Sequence, residues 1–196
     1  MVYNTGRLVC LDTRTNKIKW QQDDLARELG TDKQGIFTLF VDRDNDIWMY
    51  SPLGIWVYNP EQEKWLSWLT NIIKRRSHNM VRAVSQDKQG RIWIGTDQDG
   101  IDILDKKTGE VRQLRNKAGD ERSLQNNTVM VLYEDSSETM WVGTYKKGIS
   151  YFNECAFKFG AEYIGDISCI EEDKEGYVWL GTNDVGIIYW NSVTGN

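Results

Sequence analysis

Few residues in this chain have the type and spacing that catalysis needs. The single histidine, His78, stands between Arg76 and Asn79 in a loop-like stretch. No serine lies in a nucleophile motif, and no glycine-rich loop precedes a helix. Glu171 and Glu172 are neighbours on an apparent strand, so their side chains point to opposite faces and cannot share a substrate. The three cysteines, Cys10, Cys155 and Cys169, are odd in number, with no CxxC spacing and no histidine nearby. That argues against a metal centre and excludes a complete disulfide framework within one chain. Cys10 and Cys169 occupy apolar strand positions and are expected to be small buried hydrophobes. Asp42-Arg43-Asp44-Asn45-Asp46 imitates the first half of a calcium loop, but Leu53 stands at the twelfth position, where a bidentate Glu is required. The same residues read as an ordinary Asp-x-x-Gly type of turn. No catalytic residue, metal or cofactor is therefore expected, and binding becomes the default role.

The elements that must position any binding residues follow from a repeat. Ser85 to Leu104 reads SQDKQGRIWIGTDQDGIDIL, two short alternating apolar runs with one turn signal before Trp93 and another after it. The pattern recurs as EEDKEGYVWLGTNDVGIIYW at Glu171 to Trp190, YEDSSETMWVGTYKKGISYF at Tyr133 to Phe152 and FVDRDNDIWMYSPLGIWVY at Phe40 to Tyr58. Trp48, Trp93, Trp141 and Trp179 mark one place in each copy; Asp42, Asp87, Asp135 and Asp173 lie six residues earlier. Gly54, Gly100, Gly148 and Gly186 lie six or seven residues later. Tryptophan steps of 45, 48 and 38 residues suit a supersecondary unit of four strands, one blade of a β-propeller. The repeated tryptophan is expected to fill the wedge between blades, and the repeated aspartate to accept turn N–H groups. Gly90, Gly176 and Asn45 can complete that turn with positive φ; Glu138 cannot do so easily, which predicts a different turn there.

The fold class expected is therefore all-β, about four and a half blades of four antiparallel strands. The third blade divides into Val81 to Gln86, Arg91 to Thr96, Ile101 to Leu104 and Glu110 to Leu114, here called strands a to d. Residues 7–20 look like a half blade of strands c and d. Blades at 35–69, 80–115 and 128–159 follow, and 166–191 is an incomplete blade ending in strand c. Gln21 to Gly30 reads as a short helix between blades. Thr70 to Asn79, Arg115 to Asn127 and Phe159 to Asp166 read as the later d-to-a loops, and Ser192 to Asn196 copies a c-to-d turn. A spare leading strand c predicts a partial arc of a larger propeller, with exposed blade faces and a tendency to self-associate.

Charge narrows the partners. A net charge of −5 argues against nucleic acid, and no apolar run approaches the length of a membrane span. Because successive strands reverse, the d-to-a and b-to-c loops share one face of the blades. Lys74, Arg75, Arg76, Lys117, Arg122, Lys146 and Lys147 fall there, with His78 and Tyr145, whereas the other face is acidic. Arg75, Arg76, His78, Tyr145, Lys146 and Lys147 are the expected contacts to an anionic ligand.

The segments SLQNNTVMVLYEDSSETMWVGTYKKGI and MVRAVSQDKQGRIWIGTDQDGIDIL resemble the two-component regulator propeller repeat, over four copies in residues 35–191. In the second copy MYSPLG replaces the Ile-Gly-Thr segment, which leaves its b-to-c turn open. What the resemblance implies is the periplasmic sensor region of a Bacteroides-type hybrid two-component system. Such a region binds oligosaccharides from polysaccharide breakdown, adjoins further blades of the parent chain, and signals to a histidine kinase elsewhere in that chain. The segment itself would be no enzyme and would contact neither nucleic acid nor membrane. Two alternatives share the repeat: a streptogramin-lyase-like enzyme, which would need histidine and acidic groups at a ring centre, and a propeller serving as a protein-interaction scaffold.

Overall fold

In the computed structural model the described residues are 1–29, 35–76, 80–120, 122–153, 158–162 and 165–191. They fall into two compact units, Met1–Ser67 and Trp68–Asn196.

In the first unit β1 (Leu8–Asp12) and β2 (Lys17–Gln22) form a two-stranded antiparallel sheet. Asp12 closes their turn by accepting the Arg14 and Thr15 amides at 2.8 and 3.2 Å, contacts that hold its carboxyl below the usual carboxylate range. A short helix, α1 (Asp24–Leu29), follows and buries Leu25. The strands β3 (Thr38–Val41), β4 (Ile47–Ser51), β5 (Gly54–Asn59) and β6 (Lys64–Trp65) then run as an antiparallel meander in chain order. Leu25, Phe37, Met49 and Trp56 form the core of this unit. The b-to-c connection is the two-residue turn Pro52-Leu53, with Ser51 paired to Gly54, so the departure in the second copy shortens the turn and keeps the hairpin.

The second unit begins with α2 (Ser67–Arg76). The sequence from Thr70 reads as plain loop, but Leu69 and Ile73, four residues apart, give the connection an apolar helical stripe, and both are buried. Three sheets follow. The first is β7 (Val81–Gln86), β8 (Ile92–Thr96), β9 (Ile101–Leu104) and β10 (Val111–Leu114). The second is β11 (Val129–Glu134), β12 (Met140–Thr144), β13 (Gly148–Asn153) and β14 (Lys158–Glu162). The third is β15 (Ile167–Glu172), β16 (Tyr177–Thr182) and β17 (Ile187–Asn191). β14 occupies residues expected as loop from Phe159, because it pairs with β13 over its whole length. The c-to-d turn expected at 192–196 lies outside the described residues.

Every sheet is an antiparallel meander, and the first strands β7, β11 and β15 lie side by side, so the sheets stack face to face as blades of a β-propeller. Strands β8 and β12 are buried at every residue, since each sits mid-sheet in a packed blade. Trp93 packs among Leu132, Met140 and Phe152 of the following sheet, with the Trp93 and Phe152 rings 5.6 Å apart. Trp141 packs in turn with Ile167, Ile170 and Val178. Apolar burial of this kind contributes about 25 cal/mol per Å².

The third sheet differs. Trp179 is 41% exposed, with Ile187 and Tyr189 more exposed still. Cys169 on β15 is also exposed, contrary to the expectation of a buried thiol, while Cys10 is half-buried. The equivalent Ala83 on β7 is buried beside Val129 of the next sheet; no described strand covers β15 in that way.

Candidate functional site

The repeated Asp and Trp are joined directly. Asp135 Oδ1 accepts the Ser137 and Thr139 amides, both at 2.9 Å, while Oδ2 accepts the Trp141 indole N–H at 2.7 Å. Asp42 and Trp48, Asp87 and Trp93, and Asp173 and Trp179 make the same indole bond at 2.8, 2.8 and 2.7 Å. One carboxylate thus closes the a-to-b turn and satisfies the only polar atom of the ring that fills the blade. At Asp173 the Trp179 indole is the first cause of a lowered carboxyl pKa, helped by the turn amides.

The turn is the same in all four copies. Asn45, Gly90, Glu138 and Gly176 have φ of 62°, 87°, 63° and 84°. The different turn expected at Glu138 is therefore not found. Asp135 imposes the geometry, and the left-handed conformation, at about 1–2 kcal/mol for a side chain, is tolerated. The Glu138 carboxylate accepts from Lys88 Nζ of the preceding blade at 2.6 Å, which lowers the Glu138 pKa. Two further bonds rivet the blades: Glu134 accepts the Lys88 amide and Glu172 accepts the Ser136 amide, each at 2.8 Å.

The Trp-x-Gly-Thr segment also has a local cause. Thr96, Thr144 and Thr182 donate their hydroxyls to Gly100, Gly148 and Gly186 carbonyls at 2.9, 3.0 and 2.8 Å, locking the b-to-c turns. A Cβ at Gly143 would meet Val131 Cγ1 at 2.5 Å and Ile167 at 3.0 Å, so only glycine lets the next blade approach. Tyr50 stands at this place in the second copy and is buried.

The Asp42, Asp44 and Asp46 carboxylates lie within 4.8 Å of one another. Asp42 spends Oδ1 on the Asp44 and Asp46 amides and Oδ2 on Trp48, and Asp46 accepts the Asn59 amide group at 2.6 Å. The Asp42 bonds are those of the repeat's turn.

The repeated residues are committed to structure, and the loops are where the blades differ from one another. Tyr145, Lys146 and Lys147 form the β12–β13 turn. Asn126 donates to the Tyr145 carbonyl at 2.8 Å and the Tyr145 amide donates to Thr128 O at 3.0 Å, so the d-to-a and b-to-c loops meet at one end of the blades. Tyr145 is 42% exposed, and Lys146 Nζ lies 5.0 Å from its ring centroid. The Tyr145 hydroxyl, with a smaller contribution from Asp166, holds the Lys146 ammonium above its ordinary pKa. Arg75 and Arg76 end α2, and their side chains and His78 lie outside the described residues. Carboxylates also occupy this end: Arg82 pairs with Asp97 at 2.7 Å and Arg115 with Asp99 at 2.6 Å, which the sequence reading overlooked. It overlooked Trp68 too, 48% exposed in the first turn of α2.

Residues 76–98, 123–146 and 164–184 match the family model of the two component regulator propeller. No match is found among the curated proteins. The fold is similar to the extracellular domain of a hybrid two component system from B. thetaiotaomicron, with TM-score 0.68 and 24% identity over 95% of this chain and 25% of that one. A second such domain from the same organism gives 0.61 and 18%, over 81% of this chain and 23% of that one. The chain thus spans about a quarter of the length of these two domains. Virginiamycin B lyase from Staphylococcus aureus is similar at TM-score 0.62 and 12% identity, over 97% of this chain and 68% of the lyase. The matched residues include the a and b strands whose Asp, Trp, Gly and Thr contacts build the three blades, and over these three segments the chain is similar to the two component regulator propeller repeat.

Proposed function

We propose that these blades are a ligand-sensing segment of a hybrid two-component system, binding oligosaccharides released from polysaccharides and passing occupancy to a histidine kinase in the parent protein. The reading places the segment in the periplasm, beside further blades of its own chain. One observation carries it: the repeated Asp, Trp and Thr side chains are engaged in the blades, while the loops at one blade end present cations and an exposed aromatic ring. Tyr145 offers a face on which a sugar ring can stack, and Lys146 and Lys147 offer charge to an acidic or sulfated substituent. Arg75, Arg76 and His78, from the connection before β7, are the other proposed contacts. The likeness to extracellular sensor domains supports the same placement. Catalysis is not part of this reading, because the sequence holds one histidine and no nucleophile motif.

Titration calorimetry with neutral, uronate-containing and sulfated oligosaccharides tests the proposal. A saturable signal that weakens at least tenfold in the Lys146→Ala, Lys147→Ala double variant is the expected result. Unchanged affinity in that variant removes this site, and heat of binding with none of the three classes removes the sugar-sensing reading.

A further inference from the structure

The two interfaces between successive sheets of the second unit are built from the same positions. On the earlier sheet, the tryptophan, the residue ten before it and the residues eight and ten after it face the next sheet. These are Trp93, Ala83, Ile101 and Ile103 in one interface, and Trp141, Val131, Ile149 and Tyr151 in the other. The later sheet meets them with the residues twelve, nine and one before its own tryptophan: Val129, Leu132 and Met140, then Ile167, Ile170 and Val178. Gly95 and Gly143 leave the room that Val129 and Ile167 enter.

The β15–β17 sheet repeats the first set and leaves it open. Cys169, Trp179, Ile187 and Tyr189 hold those four positions, and all four are exposed. Gly181 keeps the same gap, and the atoms nearest to it come from Cys169 and Ser168 of its own sheet. An apolar face of this kind is unfavourable in water and marks a docking surface. The complementary set is open in the first unit. In the β3–β6 sheet Ile36, Leu39 and Ile47 stand twelve, nine and one residues before Trp48. Ile36 is 88% exposed and Leu39 and Ile47 are half-buried, whereas Val129 and Ile167, at the first of these positions, are buried completely. One chain thus carries both halves of the interface that joins its own sheets.

We propose that the open face of the β15–β17 sheet docks the β3–β6 sheet of a second copy of this chain, head to tail, with Ile36 of the partner subunit entering the gap at Gly181. The contact continues an interface that the chain already makes twice within itself. It joins two different patches, so it adds copies until a ring closes. Val41, also exposed, stands where Glu134 and Glu172 accept amides from the preceding sheet. That bond is therefore missing at this contact, and apolar burial drives the association. The inference goes beyond the sensing reading and does not rest on it; a blade that the parent protein places beside β15 would have to displace the second copy.

Sedimentation velocity over a concentration series tests this on the parent chain, on Ile36→Lys and on Ile187→Lys. Expected is a parent whose mean mass rises with concentration, while each variant stays monomeric with an unchanged thermal midpoint, since both side chains are exposed. Each variant keeps the half of the contact that the other has lost. Mixing the two should therefore give a dimer with one copy of each, and nothing larger. An Ile36→Lys protein that still associates would mean that the β15–β17 face pairs with something other than the β3–β6 sheet, and overturns the head-to-tail contact. A parent that stays monomeric at every concentration, or a mixture that forms no dimer, overturns the docking itself.

Discussion

Replacing Asp135 with Asn keeps the size of the side chain and reverses one donor–acceptor relation. Its Oδ1 serves two turn amides at 2.9 Å, so the new NH₂ must face the Trp141 indole N–H, now 2.7 Å from a donor instead of an acceptor. Turning the amide over only moves the conflict to the turn. Asp135 and Trp141 are 5% and 4% exposed, so water cannot relieve it. A hydrogen bond to a charged group contributes about 1.5–3 kcal/mol, and a buried donor left unsatisfied costs about 1–3 kcal/mol. Asp135→Asn should therefore destabilise the second unit by about 3 kcal/mol, more than a hundredfold in its unfolding equilibrium. In a Trp141→Phe background the indole is absent, and the same change should cost about 1 kcal/mol, from the weaker turn acceptor alone. The coupling of about 2 kcal/mol is read from native-state amide exchange across β11 and β12 in the four proteins of the cycle. Equal costs with and without the indole would refute the clasp. Asp173→Asn is the internal control: Trp179 is 41% exposed, water can accept its N–H, and a smaller effect is expected.

Gly143→Ala should destabilise by about 1–3 kcal/mol through overpacking against Val131 and Ile167, and adding Val131→Ala should recover part of it; denaturant midpoints decide the matter. Glu138 has its folded pKa lowered, first by Lys88, so its contribution is present above the unfolded carboxylate pKa and disappears as pH falls through the folded one. The stability gap between the parent and Glu138→Gln should accordingly close between neutral and acid pH, and a gap that stays constant across that range contradicts the cross-blade ion pair. Ile187 and Tyr189, 76% and 59% exposed on the third sheet, should drive concentration-dependent association, which Ile187→Lys should abolish in sedimentation velocity. A parent chain that sediments as a monomer at every concentration would exclude that.

The blade repeat was legible because each of its signals is local. Turn residues, alternating apolar runs and the Trp-x-Gly-Thr segment act over a few positions, and four copies in register separate them from chance. Asp42, Asp87, Asp135 and Asp173 could be read as turn formers for the same reason. Their bond to the indole six residues on could not, because it depends on the rotamer the ring takes on strand b, which spacing alone does not fix. Helix α2 escaped a reading tuned to strand period, although Leu69 and Ile73 carried its signal. Cys169 looked buried because its strand pattern is that of Ala83; its exposure depends on which sheet lies beyond it. The candidate site divides in the same way. The Tyr145-Lys146-Lys147 turn follows from repeat spacing alone, whereas the bonds that tie Tyr145 to Asn126 and Thr128 require the d-to-a loop to meet it. By itself the sequence determined the repeat, the strand order within each blade and the positions of the variable loops, since these rest on contacts between near neighbours in the chain. Only the tertiary structure decided which charges are neutralised, as Arg82 and Arg115 are, and which apolar faces are covered, because both depend on residues brought together from different blades or distant loops.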